Sequence, residues 1–400
     1  MGLKVFLFMF LTTFLFNSAY AQIAVKGEIV YTMEGAPVKN GLVLINNGLI
    51  EWVGSASDRT IPSNYTIYEG KIVTPGLFDG RTTAGLTGLY NYNHDQEQLE
   101  KSDPFQPELR AVDAFNYSDE LLKYLSSFGI TTLHTGHAPG ALASGQSMIV
   151  KTLGEYEPGQ IVDSVTAVLF SYGSGVTANY KKPGSRSKAA SMLREEFLKA
   201  TTNAAKSDTS KKDARNLRAE IMEKVVKGEV KAIFTVHRAN DILTVLRICD
   251  EFGIKPILDG ASEAYLVIEQ LKSRNIPVIL HPTMQRAYGE TQNLSFETAA
   301  ILDSAGILFA IQSGYEGYVP KVRVVLFEAG VAAGYGLNFE SALASITINP
   351  AKILGVENSI GSLKAGKHGD IVIFNGDPFE YTTKVCLVIQ MGKVVSEECR

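Results

Sequence analysis

Neither sign of charge dominates this chain. Its 38 Lys and Arg stand against 42 Asp and Glu, a net charge of −4. That balance calls for no polyanionic or membrane partner. Long hydrophobic runs are missing too, apart from one near the N-terminus. No other stretch reaches the length of a membrane-spanning helix. Cysteine is scarce, three in 400 residues, and decides little. Cys249 falls among the apolar residues of an expected helix and reads as core. Cys386 sits in an expected C-terminal strand and Cys399 is penultimate. Three free thiols fit this placement, and so does a Cys386–Cys399 disulfide formed in an oxidising compartment.

The N-terminus has the parts of a secretory signal. Lys4 supplies the positive charge, residues 5–16 form the apolar stretch, and Ala19-Tyr20-Ala21 fits the small-x-small cleavage pattern. Gln22 is then the first mature residue. No cysteine follows the apolar stretch, so a lipid-anchored form is not expected. With residues 1–21 removed, the mature chain is expected to be exported, periplasmic or extracellular, with no membrane partner.

A length of 400 residues with 45% hydrophobic and 20% charged composition suits one large barrel or two domains. Residues 22–74 read as all-β, with Asn47-Gly48 as a hairpin turn. Residues 360–398 read as β again. Between them, over 75–359, strand-like runs at 129–134, 165–170, 231–237, 254–258, 276–280 and 307–311 alternate with helical patterns. A run at 71–78 opens the series. Asn240 or Asp241 can cap one helix that Gly253 ends, Ser262 can open the next, and Ser295 another. This βαβα rhythm, near eight units, predicts a parallel sheet closed into a (β/α)8 TIM-type barrel. Residues 87–110 read as a long loop over the barrel top. Residues 180–231 hold twice as many basic as acidic residues. They read as two surface helices, one facing inward with Leu193, Phe197 and Ala200, the other with Leu217, Ile221 and Val225. The aromatics that base stacking needs are few there, Tyr180 and the inward-facing Phe197, so no nucleic-acid partner is expected.

Pro75-Gly76-Leu77-Phe78-Asp79, after a hydrophobic strand, closely resembles the opening signature of the metal-dependent amidohydrolase superfamily. In that family a His-x-His pair follows and binds the catalytic metal. Further landmarks are Arg110-Ala111-Val112-Asp113-Ala114-Phe115-Asn116, Gly129-Ile130-Thr131-Thr132, and Pro139-Gly140 followed by a loop with Ser144-Gly145-Gln146. Thr347-Ile348-Asn349-Pro350-Ala351-Lys352 and Gly366-Lys367-His368-Gly369-Asp370 complete the set. The exported, imidazolonepropionase-like branch is the most similar. The resemblance implies a small β-sandwich formed by both chain ends (22–74 and 360–398) beside the amidohydrolase-like barrel. It also implies hydrolysis of amide or other C–N bonds by a metal-bound water, with a strand 8 aspartate moving the proton.

Carried onto this chain position by position, that site is largely replaced. Arg81 and Thr83 stand where the two strand 1 histidines belong. His237 matches the strand 5 histidine, Asp259-Gly260 stands at the strand 6 histidine, and Gly314 replaces the strand 8 aspartate. A guanidinium has no lone pair to give, and glycine can neither bind metal nor carry a proton. Arg81 either pairs with Asp79, Glu263 or Asp259, or offers its charge to an anion. Arg81, Thr83, Asp259 and Gly314 thus line an expected ligand pocket. His134, His137, His237 and His281 fall at or near strand ends and are the candidates for a relocated zinc site. The other reading makes them hydrogen-bonding histidines of a metal-free pocket. His94 and His368 are expected to face solvent. The sequence therefore predicts a pseudoenzyme with no cofactor that binds a small molecule, or a non-catalytic subunit paired with an intact amidohydrolase relative. The alternative is an active C–N hydrolase with a relocated zinc.

Overall fold

A computed structural model describes residues 22–90, 92–206, 216–315 and 325–399. The expected signal segment, 1–21, lies outside the described residues. The chain opens with β1 (Ile23–Val30), β2 (Val38–Asn46), β3 (Leu49–Ser55) and β4 (Thr66–Pro75). Asn47 and Gly48 both have positive φ, the geometry a two-residue hairpin needs. Gly76 then passes the chain directly from β4 into β5 (Leu77–Thr82). A side chain is excluded at this junction, because a Cβ on Gly76 would lie 2.2 Å from Thr131 Oγ1. After α1 (Glu120–Ser127) come β6 (Ile130–Thr135), β7 (Ala143–Lys151) and β8 (Ile161–Ser171). Three helices follow: α2 (Ser174–Asn179), α3 (Arg186–Lys206) and α4 (Leu217–Val226).

From there strand and helix alternate. The order is β9 (Lys231–Val236), α5 (Ala239–Phe252), β10 (Pro256–Gly260), α6 (Ile268–Arg274), β11 (Val278–Leu280), α7 (Thr298–Ser304) and β12 (Phe309–Ile311). Then come α8 (Val325–Gly334), α9 (Phe339–Ser345) and α10 (Ile348–Leu354), and finally β13 (Ile371–Phe374), β14 (Val385–Gln390) and β15 (Lys393–Ser396).

Two sheets result. One has seven strands in the order β15-β14-β13-β4-β1-β2-β3, so both chain ends build it. Alternate residues such as Ile23, Val25, Val43, Ile45, Ile371, Ile373, Leu387 and Ile389 pack into one buried cluster. Cys386 of β14 is disulfide-bonded to Cys399, and Cys249 is free and buried. The other sheet has eight strands in sequence order, β5 to β12. It closes through a parallel bridge between Thr82 and Gly314. Asp79 of β5 strengthens this seam by accepting the Ser313 backbone N–H at 3.0 Å and the Ser313 hydroxyl. The eight-stranded α/β barrel beside a separate sheet is the architecture the sequence predicts.

One strand departs from that expectation. β7 runs antiparallel to both β6 and β8, so a meander replaces two βα units. The sequence hides it because its first residues, Ala143-Ser144-Gly145-Gln146-Ser147, are small and polar with little strand character. Helix starts differ in detail. Arg238, with no side-chain cap, precedes α5, and Asp241 lies in its first turn. The expected cap Ser262 is bonded to His237 instead. Leu193, Phe197, Ala200, Ile221 and Val225 are buried as their spacing predicts. Leu217 shares the helical face of Ile221 and Val225 but is 60% exposed, because it is the first residue of α4. Among the described residues, no helix is long and apolar enough to cross a membrane.

Inside the barrel, Phe78, Ile149, Leu169, Ile233, Ile257, Ile279 and Ala310 form a dry cluster with Ala351, Ile353 and Leu354 of α10. Side chains two residues apart on a strand share a face. The next inward layer is therefore Thr235, Asp259, His281 and Gln312, which stacks a polar floor on an apolar core.

Candidate functional site

Arg81, at the end of β5, is 1% exposed. It forms no ion pair with Asp79, Glu263 or Asp259, which corrects the expected salt bridge. Its Nη1 donates to the Thr82 carbonyl at 2.7 Å and the Gly136 carbonyl at 3.2 Å, and its Nη2 to the His137 carbonyl. The guanidinium also lies 5.0 Å from the centroid of the Tyr315 ring. The cation is thus held by carbonyl dipoles and a π face.

The carboxylates the sequence offered as partners are otherwise occupied. Asp79 accepts the Arg81 backbone N–H at 3.2 Å besides Ser313. Burial pushes its carboxyl up to about 6, although the Ser313 and Arg81 bonds pull the other way. Asp259 accepts Thr235 Oγ1 at 2.5 Å, Gln312 Nε2 at 2.7 Å and the Tyr315 hydroxyl. Burial and the Asp259 charge raise the Tyr315 phenol well above its ordinary value, so it stays a donor. Glu263 accepts Ala239 N at 2.7 Å and Asn293 Nδ2 at 2.7 Å. Thr83 is buried, and its carbonyl closes a turn to Leu86 N at 2.9 Å.

The four candidate histidines separate into two pairs. His134 and His137 lie on the Arg81 side. His134 Nδ1 meets the Gly80 carbonyl at 2.8 Å and its Nε2 meets Ser147 Oγ at 2.7 Å, so both ring nitrogens are committed. Burial, then the Arg81 charge, lowers His134 to about 3 and His137 to about 4. His237 and His281 lie on the other side and line one cavity with Gly260, Gln312, Gly314 and Tyr315. His237 Nδ1 pairs with Ser262 Oγ at 2.9 Å, and His281 Nδ1 with the Pro282 carbonyl at 2.7 Å. Burial lowers both, His281 to about 4. Gly260 makes room for the His237 ring, since a Cβ there would lie 2.6 Å from its Cε1. His94 is exposed and stacks on Tyr92. His368 is not the solvent-facing group expected: it is half-buried, and burial lowers its pKa.

The residues present do not fit a catalytic divalent metal. A permanent cation is buried at the first ligand position, and His134 has no free nitrogen. Gly314 has φ +91°, and a Cβ there would lie 2.8 Å from Pro282 Cγ. Among the described residues, no three His, Cys, Asp or Glu side chains gather to hold an ion. Sequence reasoning missed Tyr315, Gln312 and Ser313. Their only signal was their place beside Gly314, at the end of the last barrel strand.

A composite sheet from both chain ends, set against a barrel with polar residues at the C-terminal strand ends, defines the class as a TIM-type barrel with an accessory sheet. Comparison with known proteins narrows this. The family model described as Amidohydrolase family matches residues 323–396. The chain is 25% identical over 380 residues to amidohydrolase tasK of Hapsidospora irregularis, covering 84% of this chain and 38% of that longer protein. It is 24% identical to the imidazolonepropionase of Shewanella oneidensis, covering 90% and 94% of the two chains. A solved amidohydrolase structure from Thermotoga maritima superimposes with a TM-score of 0.87 at 28% identity, covering 94% of this chain and all of the other. In sequence and in fold the chain is similar to members of the amidohydrolase superfamily.

Proposed function

We propose that this chain is a non-hydrolytic member of the superfamily, which binds a small molecule at its barrel mouth without a metal and acts after export. The observation that carries this reading is Arg81. A fixed positive charge, held by three carbonyls and the Tyr315 ring, stands at a position where the family pattern calls for a metal ligand. Gly314 removes the proton carrier as well. The remaining cavity joins two neutral imidazoles to two amides, Gln285 and Gln312, and a phenol, which suits recognition by hydrogen bonds.

The test is elemental analysis of purified mature protein after dialysis against a weak chelator. Far less than one zinc, iron or manganese per chain is expected. One mole per chain would overturn the reading and favour the relocated-site hydrolase, with His237 and His281 as the first ligands to examine. Export is supported by the signal pattern at residues 1–21 and by the Cys386–Cys399 disulfide, which suits an oxidising compartment. N-terminal sequencing of protein from its native source should begin at Gln22. A chain that retains residues 1–21 contradicts export by cleavage.

A further inference from the structure

The cavity at the barrel mouth is small, about 50 Å³. It admits one end group of a ligand rather than a whole metabolite. Its buried polar atoms are unequally satisfied, and that inequality specifies the end group.

His281 is 1% exposed. Its Nδ1 lies 2.7 Å from the Pro282 carbonyl. A carbonyl only accepts, so Nδ1 carries the proton and Nε2 presents a lone pair. That Nε2 is buried and has no partner among the described residues. Gln312 is fully buried. Its amide orientation is set by two acceptors, Asp259 Oδ1 at 2.7 Å and the Ile279 carbonyl at 3.2 Å, both of which require its NH2. Its Oε1 is therefore an acceptor, also buried and without a partner among the described residues. The Tyr315 hydroxyl cannot serve either atom, because it is spent on Asp259. Two buried acceptors without donors cost free energy that a suitable ligand would recover.

The third polar group has the opposite sense. Ser262 is fully buried, and His237 Nδ1 is the partner its hydroxyl has among the described residues. The hydroxyl proton is satisfied when Ser262 donates to Nδ1. His237 Nε2 then carries the remaining proton and is a donor. Arg81 against the ring of Tyr315 and Asp259 at its hydroxyl balance in charge. The cavity thus gives an ionic group no net opposite charge to offset its desolvation.

These three buried groups, two acceptors and one donor with no net charge, complement a group with two N–H donors and one carbonyl; the half-buried Gln285 also lines the cavity. We propose that the barrel mouth recognises a primary carboxamide, its NH2 donating to His281 Nε2 and Gln312 Oε1 and its oxygen accepting from His237 Nε2. A urea end group holds the same CONH2 unit and adds a further N–H. The inference rests on the metal-free binding reading above.

The experiment uses the mature protein labelled with [15N]histidine and titrated with acetamide. N,N-dimethylacetamide, which lacks N–H, and acetate, which is charged, are the controls. His281→Phe assigns the resonance. Acetamide should move the Nε2 resonance of His281 and saturate, while neither control should. His281→Phe should weaken acetamide binding roughly tenfold or more, as for one hydrogen bond lost from a buried partner. No response to acetamide over the range in which the protein stays folded overturns the inference. So does an equal response to dimethylacetamide. Should His281→Phe fail to fold, histidine resonances in the unmodified protein, assigned by through-bond correlation, still decide through the three probes. The outcome is separable from the metal assay: acetamide binding by a zinc-containing protein would remove the metal-free reading alone, and a metal-free protein that ignores acetamide would remove this inference alone.

Discussion

Replacing Arg81 by Met tests whether the buried guanidinium is a structural fixture. Met is close in length and apolar, so little cavity is created. The lost interactions can be counted. Thr82 O keeps a second partner, Gly136 N at 3.3 Å. The Gly136 and His137 carbonyls lose the guanidinium, at about 1–3 kcal/mol for each acceptor left unsatisfied. The contact with Tyr315 contributes up to about 2 kcal/mol when desolvated. Against this, removing a buried cation relieves a desolvation penalty of several kcal/mol. The balance is a loss of about 2–4 kcal/mol, since carbonyl dipoles and a π face already offset much of that penalty. Urea unfolding followed by circular dichroism reads the whole chain, and the midpoint should fall with an unchanged slope. Trp52 fluorescence would follow only the sheet built by the chain ends. A variant as stable as the parent would refute the argument. It would mean that the cation is a net burden on the fold, kept for a ligand.

Stability should fall as the solution is acidified from pH 6 to pH 4. His134, His137 and His281 are depressed to about 3, 4 and 4. The unfolded state therefore binds more protons below about 6.5, and their contribution, present above that value, is lost as pH falls. Asp79, raised to about 6, acts oppositely: its contribution is full below about 3.8 and lost as pH rises to 6. For these four groups, three protons against one leave a net slope of at most about 3 kcal/mol per pH unit, measurable by calorimetry. A flat or rising stability over this range would contradict the assigned burial. The R81H/T83H double variant should gain no zinc-dependent hydrolysis of amide, lactam or dipeptide substrates, because Gly314 carries no proton. Adding Gly314→Asp should lower the melting temperature further, since the site combines φ +91° with a close Pro282 ring. Turnover by the double variant well above the unmodified protein would refute the role given to Gly314.

The barrel beside a composite sheet was legible because it follows from local signals. Hydrophobic period, turn residues such as Asn47-Gly48, and the Pro75-Gly76 junction each act over a few residues. The meander at β7 was not legible, because its small polar residues pair with strands whose register only the closed barrel sets. Tertiary packing likewise left Leu217 exposed and His368 half-buried, against their local patterns.

The sequence by itself determined which chemistry this chain can perform at each family position. Whether a residue owns a lone pair or a transferable proton is a property of its own atoms, so Arg81, Thr83 and Gly314 could be judged without coordinates. Only the tertiary structure decided what those residues do instead. Arg81 took carbonyls rather than Asp79, Glu263 or Asp259, the four histidines split into two pairs, and His281 and Gln312 were left with unpaired acceptors. The physical reason is that partner choice depends on distances between strands remote in sequence, and a closed barrel sets those distances all at once.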